Sequence, residues 1–201
     1  MITVSDQGDM RIITICRAEK ANALTRAMLV DLHAACDAPS ARAVVLTGQG
    51  AVFSAGADLD AACAGLATDP IWETLSSRVA ALPCLTIAAL NGTLAGGAFG
   101  MALACDIRLA VAGAKFFYPV MRLGYLPQPS DPARLAALIG PARAKMILLG
   151  GVKIEAAEAL AWGLIDRIVP EGGLMEAAKT LAQDALGASP EHVAAIKAMI
   201  A

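Results

Sequence analysis

Backbone amides, more than acidic or nucleophilic side chains, are the groups this sequence places where chemistry could occur. Ala55-Gly56-Ala57-Asp58-Leu59 and Asn91-Gly92-Thr93-Leu94-Ala95-Gly96-Gly97-Ala98 each follow an apolar, strand-like run. Small residues there let a second molecule approach the main chain closely, with N–H groups free to donate. If the second loop opens a helix, its amides also sit at the positive end of the dipole, which suits an oxygen that gains negative charge during reaction. On spacing alone, tight packing of turns accounts for these glycines equally well. Gly48-Gln49-Gly50 begins like a dinucleotide fingerprint but lacks the third glycine, and no helix opens there to receive a pyrophosphate. The phosphate-loop pattern G-x-x-x-x-G-K-[ST] and the nucleophile elbow G-x-S-x-G are both missing. His33 and His192 are far apart, and Cys16, Cys36, Cys63, Cys84 and Cys105 never approach C-x-x-C, so no metal site is expected.

These loops must be positioned by strands and helices. Arg11–Cys16, Ala43–Thr47, Cys84–Leu90 and Ile107–Val111 read as strands, with Val52-Phe53-Ser54 as a short extension of the second. Thr25 caps a helix whose apolar residues Met28, Leu29, Leu32 and Ala35 keep helical spacing and which Pro39 ends; Ile71–Leu82 and Phe99–Cys105 are the next helices. Beyond Pro132 the chain reads as mostly helical: Pro132–Ile139, Ala142–Leu149, Ile154–Trp162, Leu174–Leu186 and Pro190 onward, broken by Gly140, Gly150, Gly163 and Gly173. Parallel strands in the first two thirds and helices after them predict an α/β fold in one domain, residues 1–201.

Composition narrows the partners. The chain has 201 residues, 57% of them apolar, and a net charge of −2, with 4% aromatics and no block of like charge. A basic stripe for a phosphate backbone and aromatics for base stacking are both lacking, so nucleic acid is not an expected partner. The uncharged run between Arg78 and Asp106 is long enough to cross a hydrocarbon layer of about 30 Å as a helix. Pro83, Asn91, Gly92, Gly96, Gly97 and Gly100 punctuate it and no Lys/Arg cluster flanks it, so a buried strand and a buried helix are expected instead, with no membrane partner. Unpaired cysteine spacing and the opening Met-Ile-Thr-Val-Ser-Asp predict a reducing compartment, the cytoplasm.

Four ordered motifs carry a resemblance: Lys20-Ala21-Asn22-Ala23-Leu24; Val45-Leu46-Thr47-Gly48 leading into Phe53-Ser54-Ala55-Gly56-Ala57-Asp58-Leu59; Asn91-Gly92 to Gly96-Gly97; and Ala104-Cys105-Asp106. From about Arg11 to Ile200 the chain resembles the crotonase (enoyl-CoA hydratase/isomerase) superfamily, with further matches at Leu123-Gly124, Pro127 and Ala156 to Val169. The resemblance implies a spiral of ββα units over about 1–140, a helical C-terminal part over about 141–201, a homotrimer or dimer of trimers, and a coenzyme A thioester as ligand with no separate cofactor. It also implies that the N–H groups of Ala57 and Gly97 form an oxyanion hole for an enolate-like intermediate; one such donor is typically worth about 3 to 4 kcal/mol of barrier. Lys20, Ala21, Ala55, Gly56, Ala57, Asp58, Leu59, Gly96 and Gly97 match positions that hold the coenzyme A thioester, and Arg17 is a further phosphate candidate. For Asp58 itself the expected role is a loop carboxylate capping nearby N–H groups.

The chain departs from the family where proton transfer is expected. Hydratases of this family carry one glutamate just after the second glycine loop and another after the Phe-x-x-Pro segment; the gapless match puts Gly100 and Val120 at those positions. General acid–base work supplies about 10² to 10⁴-fold per group, so ordinary enoyl-CoA hydration is expected to be slow, and isomerisation, decarboxylation or thioester hydrolysis become alternatives. A non-catalytic acyl-CoA binder is the reading from another class. Replacement acids and bases are sought at Asp131 and Tyr118, then Tyr125 and Ser130, and Glu73, Ser76 and Ser77 on the preceding helix. The local reading of Asp131, just before Pro132, is a helix N-cap. Asp58–Leu82, which builds the wall over the acyl chain in the family, is shorter than usual. Relatives usually continue past the counterpart of Ala201 through helices that close the coenzyme A site.

Overall fold

The computed structural model describes residues 1–38 and 40–200. A first strand, β1 (Ile2–Gln7), runs antiparallel to β2 (Met10–Ile15), and β3 (Ala43–Gly48), β5 (Leu85–Leu90), β7 (Ile107–Val111) and β10 (Arg167–Val169) extend that sheet in parallel in the order β1-β2-β3-β5-β7-β10. A second sheet, β4-β6-β8-β9, is built from short strands: β4 (Val52–Ser54), β6 (Thr93–Ala95), β8 (Lys115–Phe117) and β9 (Ile154–Glu155). The chain therefore alternates between the sheets, from β3 to β4, β5 to β6 and β7 to β8. Helices follow each pair: α2 (Leu59–Cys63) and α3 (Ile71–Ala80) after the first, α4 (Phe99–Leu103) after the second, α5 (Val120–Leu123) after the third. This is the spiral of ββα turns that the resemblance implies. Val52–Ser54 is thus a strand of the other sheet and not an extension of β3. The turn between them packs so tightly that a side chain at Gly48 has no room: a Cβ there would lie 2.7 Å from Phe53 O and 2.8 Å from Asn22 Nδ2. Gly50 is close-packed as well, with a Cβ there 3.2 Å from Ala18 Cβ.

The strands form because their apolar runs are buried on both faces. β3 and β5 are closed off from solvent along almost their whole length, as expected of central parallel strands. α1 (Arg26–Ala35) starts where Thr25 accepts the Met28 N–H and buries Met28, Leu29, Leu32 and Ala35, the face its spacing predicts; the stop expected at Pro39 lies outside the described residues. The uncharged middle of the chain folds as β5, β6 and α4, and no helix among the described residues is long and apolar enough to cross a membrane.

The C-terminal third carries α6 (Asp131–Ile139), α7 (Pro141–Leu148), α8 (Ala156–Trp162), α9 (Leu174–Gly187) and α10 (Pro190–Ile200). One expectation fails here: Ile154–Trp162 is not a continuous helix. Ile154 pairs with Phe116 in the second sheet, and the helix begins only at Ala156. β1 also has no counterpart in the sequence reading. Five of its six residues face solvent, so it carries no apolar alternation and depends on its ladder to β2.

Candidate functional site

Two asparagines assemble the loops that bear the free amides. Asn22 is fully buried with a positive φ of 53°, a left-handed conformation that asparagine tolerates better than most residues. Its Oδ1 accepts the Arg17 N–H at 2.8 Å, its Nδ2 donates to Gln49 O at 2.9 Å and Val52 O at 2.6 Å, and its carbonyl accepts the Ser54 hydroxyl at 2.8 Å. Asn91 accepts the Gly48 N–H at 2.9 Å and donates to Gly50 O at 2.7 Å. Both lie in motifs that carry the family resemblance, yet sequence reasoning assigned them no function; an asparagine at a turn after a strand was the available signal. Asn22→Ala leaves buried backbone groups without partners, and urea unfolding is expected to show a loss of about 2–4 kcal/mol. A loss under 1 kcal/mol would show that water or relaxation replaces those bonds.

The structure brings together the residues expected to hold the thioester. Ala55 N–H donates to Ala21 O at 3.0 Å and Leu24 N–H to Gly56 O at 2.8 Å, so the segments Lys20–Ala21 and Ala55–Leu59 lie side by side. Lys20 and Leu59 are exposed, Ala21 and Ala57 half-buried. Gly56 (φ 89°) packs so closely on the second loop that a Cβ would sit 2.9 Å from Ala95 O and 3.4 Å from Gly97 N; Gly96 (φ 57°) faces Gly56 Cα across the same contact. Neither the Ala57 nor the Gly97 amide finds an acceptor among the described residues. Gly97 lies in a single tight turn, Gly96–Ala98, that leads directly into α4. Asp58 caps α2, accepting from Asp60 and Ala61 N–H, and takes a 2.8 Å ion pair from Arg17. Those backbone donors, and then Arg17, hold its carboxyl below the usual range. Arg17 Nη1 also donates to Ala23 O, so that nitrogen is committed to the loop.

The largest difference from the local reading concerns Asp131. It begins α6 but caps nothing, and it is fully buried. Its carboxyl points inward, where Tyr118 donates to Oδ2 at 2.9 Å and a Cβ on Gly100 would lie 2.9 Å from Oδ1. Oδ1 has no hydrogen-bond partner among the described residues. A buried carboxylate oxygen left unpaired is costly: burial pushes Asp131 up to about 7, against the lowering effect of the Tyr118 hydroxyl and Arg134, with Glu73 adding to the rise, so near neutrality the carboxyl can both accept and give a proton. Tyr118 stacks on Phe99 with centroids 5.3 Å apart, and burial followed by the nearby Asp131 charge pushes its phenol far above the ordinary value. Tyr118 is therefore a donor at neutral pH and not a base. The glycine at position 100 is the space that makes this arrangement possible.

α3 closes the other side. Trp72 and Ser76, one turn apart, face Gly97 and Gly100, and the Trp72 indole is so close that a Cβ on Gly97 would lie 3.2 Å from two ring carbons. Glu73 accepts the Ser130 N–H at 3.0 Å together with the Ser130 hydroxyl, and Arg134 donates to Ser76 Oγ at 3.0 Å. Burial raises Glu73, but the Ser130 and Ser77 bonds outweigh it and leave that carboxyl below its usual range. Glu73 is an ionised tie between α3 and the start of α6, not a proton carrier. Val120 is buried and apolar, and Tyr125 is half-buried. Cys36 and Cys105 are pushed up by burial to about 11 and about 12, so neither is a nucleophile at neutral pH.

Comparison with known proteins gives the family. The family model described as Enoyl-CoA hydratase/isomerase matches residues 6–201. The chain is 38% identical over 212 residues to mevalonyl-coenzyme A hydratase SIDH of Beauveria bassiana, covering 96% of this chain and 75% of that one. It is 37% identical over 166 residues to carnitinyl-CoA dehydratase of Citrobacter koseri, covering 80% of this chain and 64% of that protein, a little under two thirds of its length. A 1.8 Å crystal structure of enoyl-CoA hydratase from Bacillus anthracis superposes with a TM-score of 0.91 at 33% identity, over 99% of this chain and 81% of that one. An enoyl-CoA hydratase/carnithine racemase from Magnetospirillum magneticum gives 0.91 at 28% identity, over 99% and 79%. With the family model covering nearly the whole sequence and relatives above 30% identity matched over most of their length, the chain belongs to the enoyl-CoA hydratase/isomerase (crotonase) family.

Proposed function

We propose that this protein adds water to, or removes it from, the acyl group of a coenzyme A thioester, with Asp131 as the one acid–base group and the Ala57 and Gly97 amides as the oxyanion hole. The observation that carries the reading is the Asp131 carboxyl lying against Gly100 with one oxygen unpartnered. It occupies the space that the side chain of residue 100 would fill, three residues along the chain from the Gly97 amide. In hydration, Asp131 takes a proton from water as the water oxygen bonds to Cβ. The Cα–Cβ π pair moves to the thioester as an enolate held by the two amides, and Asp131 returns the proton to Cα. Dehydration is the reverse, and a single carboxyl balances either direction. A group titrating near neutrality is well matched to both transfers. Tyr118 fixes the carboxyl and tunes it. Lys20, Ala21 and Ala55–Leu59 are proposed to carry the coenzyme A end, supported by their contact with one another and by the exposure of Lys20. The relatives named as a hydratase and a dehydratase favour the same chemistry.

A second reading has its own support. Because Val120 leaves only one titrating group, a proton shift from one acyl carbon to another, which needs no water, fits the site equally in its demand for a single shuttle. Mass spectrometry and chromatography of coenzyme A thioesters, with crotonyl, non-conjugated enoyl, malonyl-type and hydroxyacyl substrates, separates the two. The expected result is gain of water by crotonyl-CoA or its loss from the hydroxyacyl thioester, abolished in a Gly97→Pro control that removes a hole donor. Double-bond migration without change of mass selects isomerisation. Loss of carbon dioxide selects a decarboxylase and free coenzyme A a thioesterase. Tight binding with no turnover across the panel selects a non-catalytic acyl-CoA binder.

A further inference from the structure

We propose that Trp72 is the specificity-determining residue of this site and restricts it to coenzyme A thioesters with short acyl groups. The inference rests on the acyl-CoA reading above and adds the substrate class. α3 presents Trp72 and Ser76 on one face to Gly97 and Gly100. A Cβ on Gly97 would meet indole Cδ2 and Cε3 at 3.2 Å and Cζ3 at 3.3 Å, so the benzene half of the ring covers the Cα whose amide is the proposed hole donor. The ring is 3% exposed, and its Nε1–H donates to Leu66 O at 2.8 Å. This bond anchors it to the short helical turn Leu66–Thr68. Swinging the indole aside would strand a buried N–H, which opposes its acting as a gate. Three residues further on, in α4, the Asp131 carboxyl and Ser76 close the surface of Gly100. An acyl group whose carbonyl is held by the Ala57 and Gly97 amides is therefore bounded by the indole on one side and by Asp131 on the other. A short chain that places its β-carbon beside Asp131 fits between them; a long alkyl tail running past Gly97 meets a packed aromatic ring. Sequence reasoning offered no sign of this, since a tryptophan at helical spacing in an apolar helix is normally core.

The test measures kcat/KM for crotonyl-, hexenoyl- and decenoyl-CoA in the protein and in Trp72→Ala, Trp72→Leu and Trp72→Phe. One methylene is worth about 10- to 200-fold in a hydrophobic pocket. The protein is expected to prefer crotonyl- over decenoyl-CoA by at least about 100-fold, and Trp72→Ala or Trp72→Leu to shift that ratio at least about tenfold toward the long chain. Trp72→Phe, which keeps a ring over Gly97, is expected to keep the ranking. Trp72→Leu guards against a Trp72→Ala variant that does not fold. Calorimetric binding of unreactive ketone analogues with butyl-length and decyl-length chains gives a readout independent of turnover. Length discrimination in binding that is lost in Trp72→Leu, without turnover of any thioester, supports the role of Trp72 and overturns the proposed reaction. Turnover with a chain-length ratio unchanged by Trp72→Leu and Trp72→Ala overturns the role of Trp72 and leaves the reaction standing.

Discussion

Asp131→Asn lowers turnover of the preferred thioester by about 10² to 10⁴-fold while leaving thioester binding within a few-fold, because asparagine keeps the shape and loses the proton. The free protein is expected to show an inflection in kcat/KM near pH 7, where burial places the Asp131 carboxyl, and Asp131→Asn to show none there. The same group makes a stability prediction with a definite sign. Its folded-state value of about 7 lies above the ordinary 3.8, so between those values the folded protein holds a proton that the unfolded chain has released. Stability from this group is complete below about pH 4 and is lost as pH rises through about 7. Asp131→Asn carries no such titration. Urea unfolding of both proteins at about pH 4 and about pH 8 is expected to show the difference moving in favour of the variant at the higher pH, by on the order of 2–4 kcal/mol. A variant that tracks the parent across this range, in both rate and stability, would remove Asp131 from the mechanism.

The second large effect comes from the residue that Asp131 faces. Gly100→Glu, which installs the glutamate that the family resemblance implies for this position, places a Cβ 2.9 Å from Asp131 Oδ1 and 3.4 Å from Ser76 Cβ. It also puts two carboxyls in one buried space. Overpacking alone costs about 1–3 kcal/mol, and like charges sharing a site add to it, so a loss of around 3 kcal/mol or more is expected from thermal or urea unfolding. Combining Gly100→Glu with Asp131→Gly vacates the space the new side chain needs. The double variant is expected to recover most of the lost stability and to keep turnover well above that of Asp131→Gly alone, since the carboxyl returns to the same cavity from the opposite wall. Equal stability of Gly100→Glu and the parent would mean that the α6 start can move away freely, and a dead double variant would mean that Asp131 acts through something other than its place beside Gly100.

Much of this molecule was legible in its residues because the interactions involved are local. α1 announces itself through Thr25 and the spacing of Met28, Leu29, Leu32 and Ala35, and the cap and the buried face are those expected. β3, β5 and β7 are continuous apolar runs, and such runs have little alternative to a buried strand. The glycine loops were visible as places where backbone amides could stay free, and the family motifs within them matched the fold.

What stayed hidden depends on partners distant in the chain. β1 has an exposed, polar pattern and exists because β2 offers it a ladder, and Ile154 leaves its helix to pair with Phe116. Asp131-Pro132 reads locally as a helix start, and it is one. No neighbour in sequence, however, says that the side chain turns inward, because that choice belongs to the space at Gly100 and the hydroxyl of Tyr118. Sequence alone determined β2, β3, β5 and β7, the first helix and the two glycine loops. Tertiary structure alone decided which carboxyl lies against Gly100, that burial raises it toward neutrality, and that Trp72 stands over Gly97, since burial and close contact are properties of residues that meet only after the chain has folded.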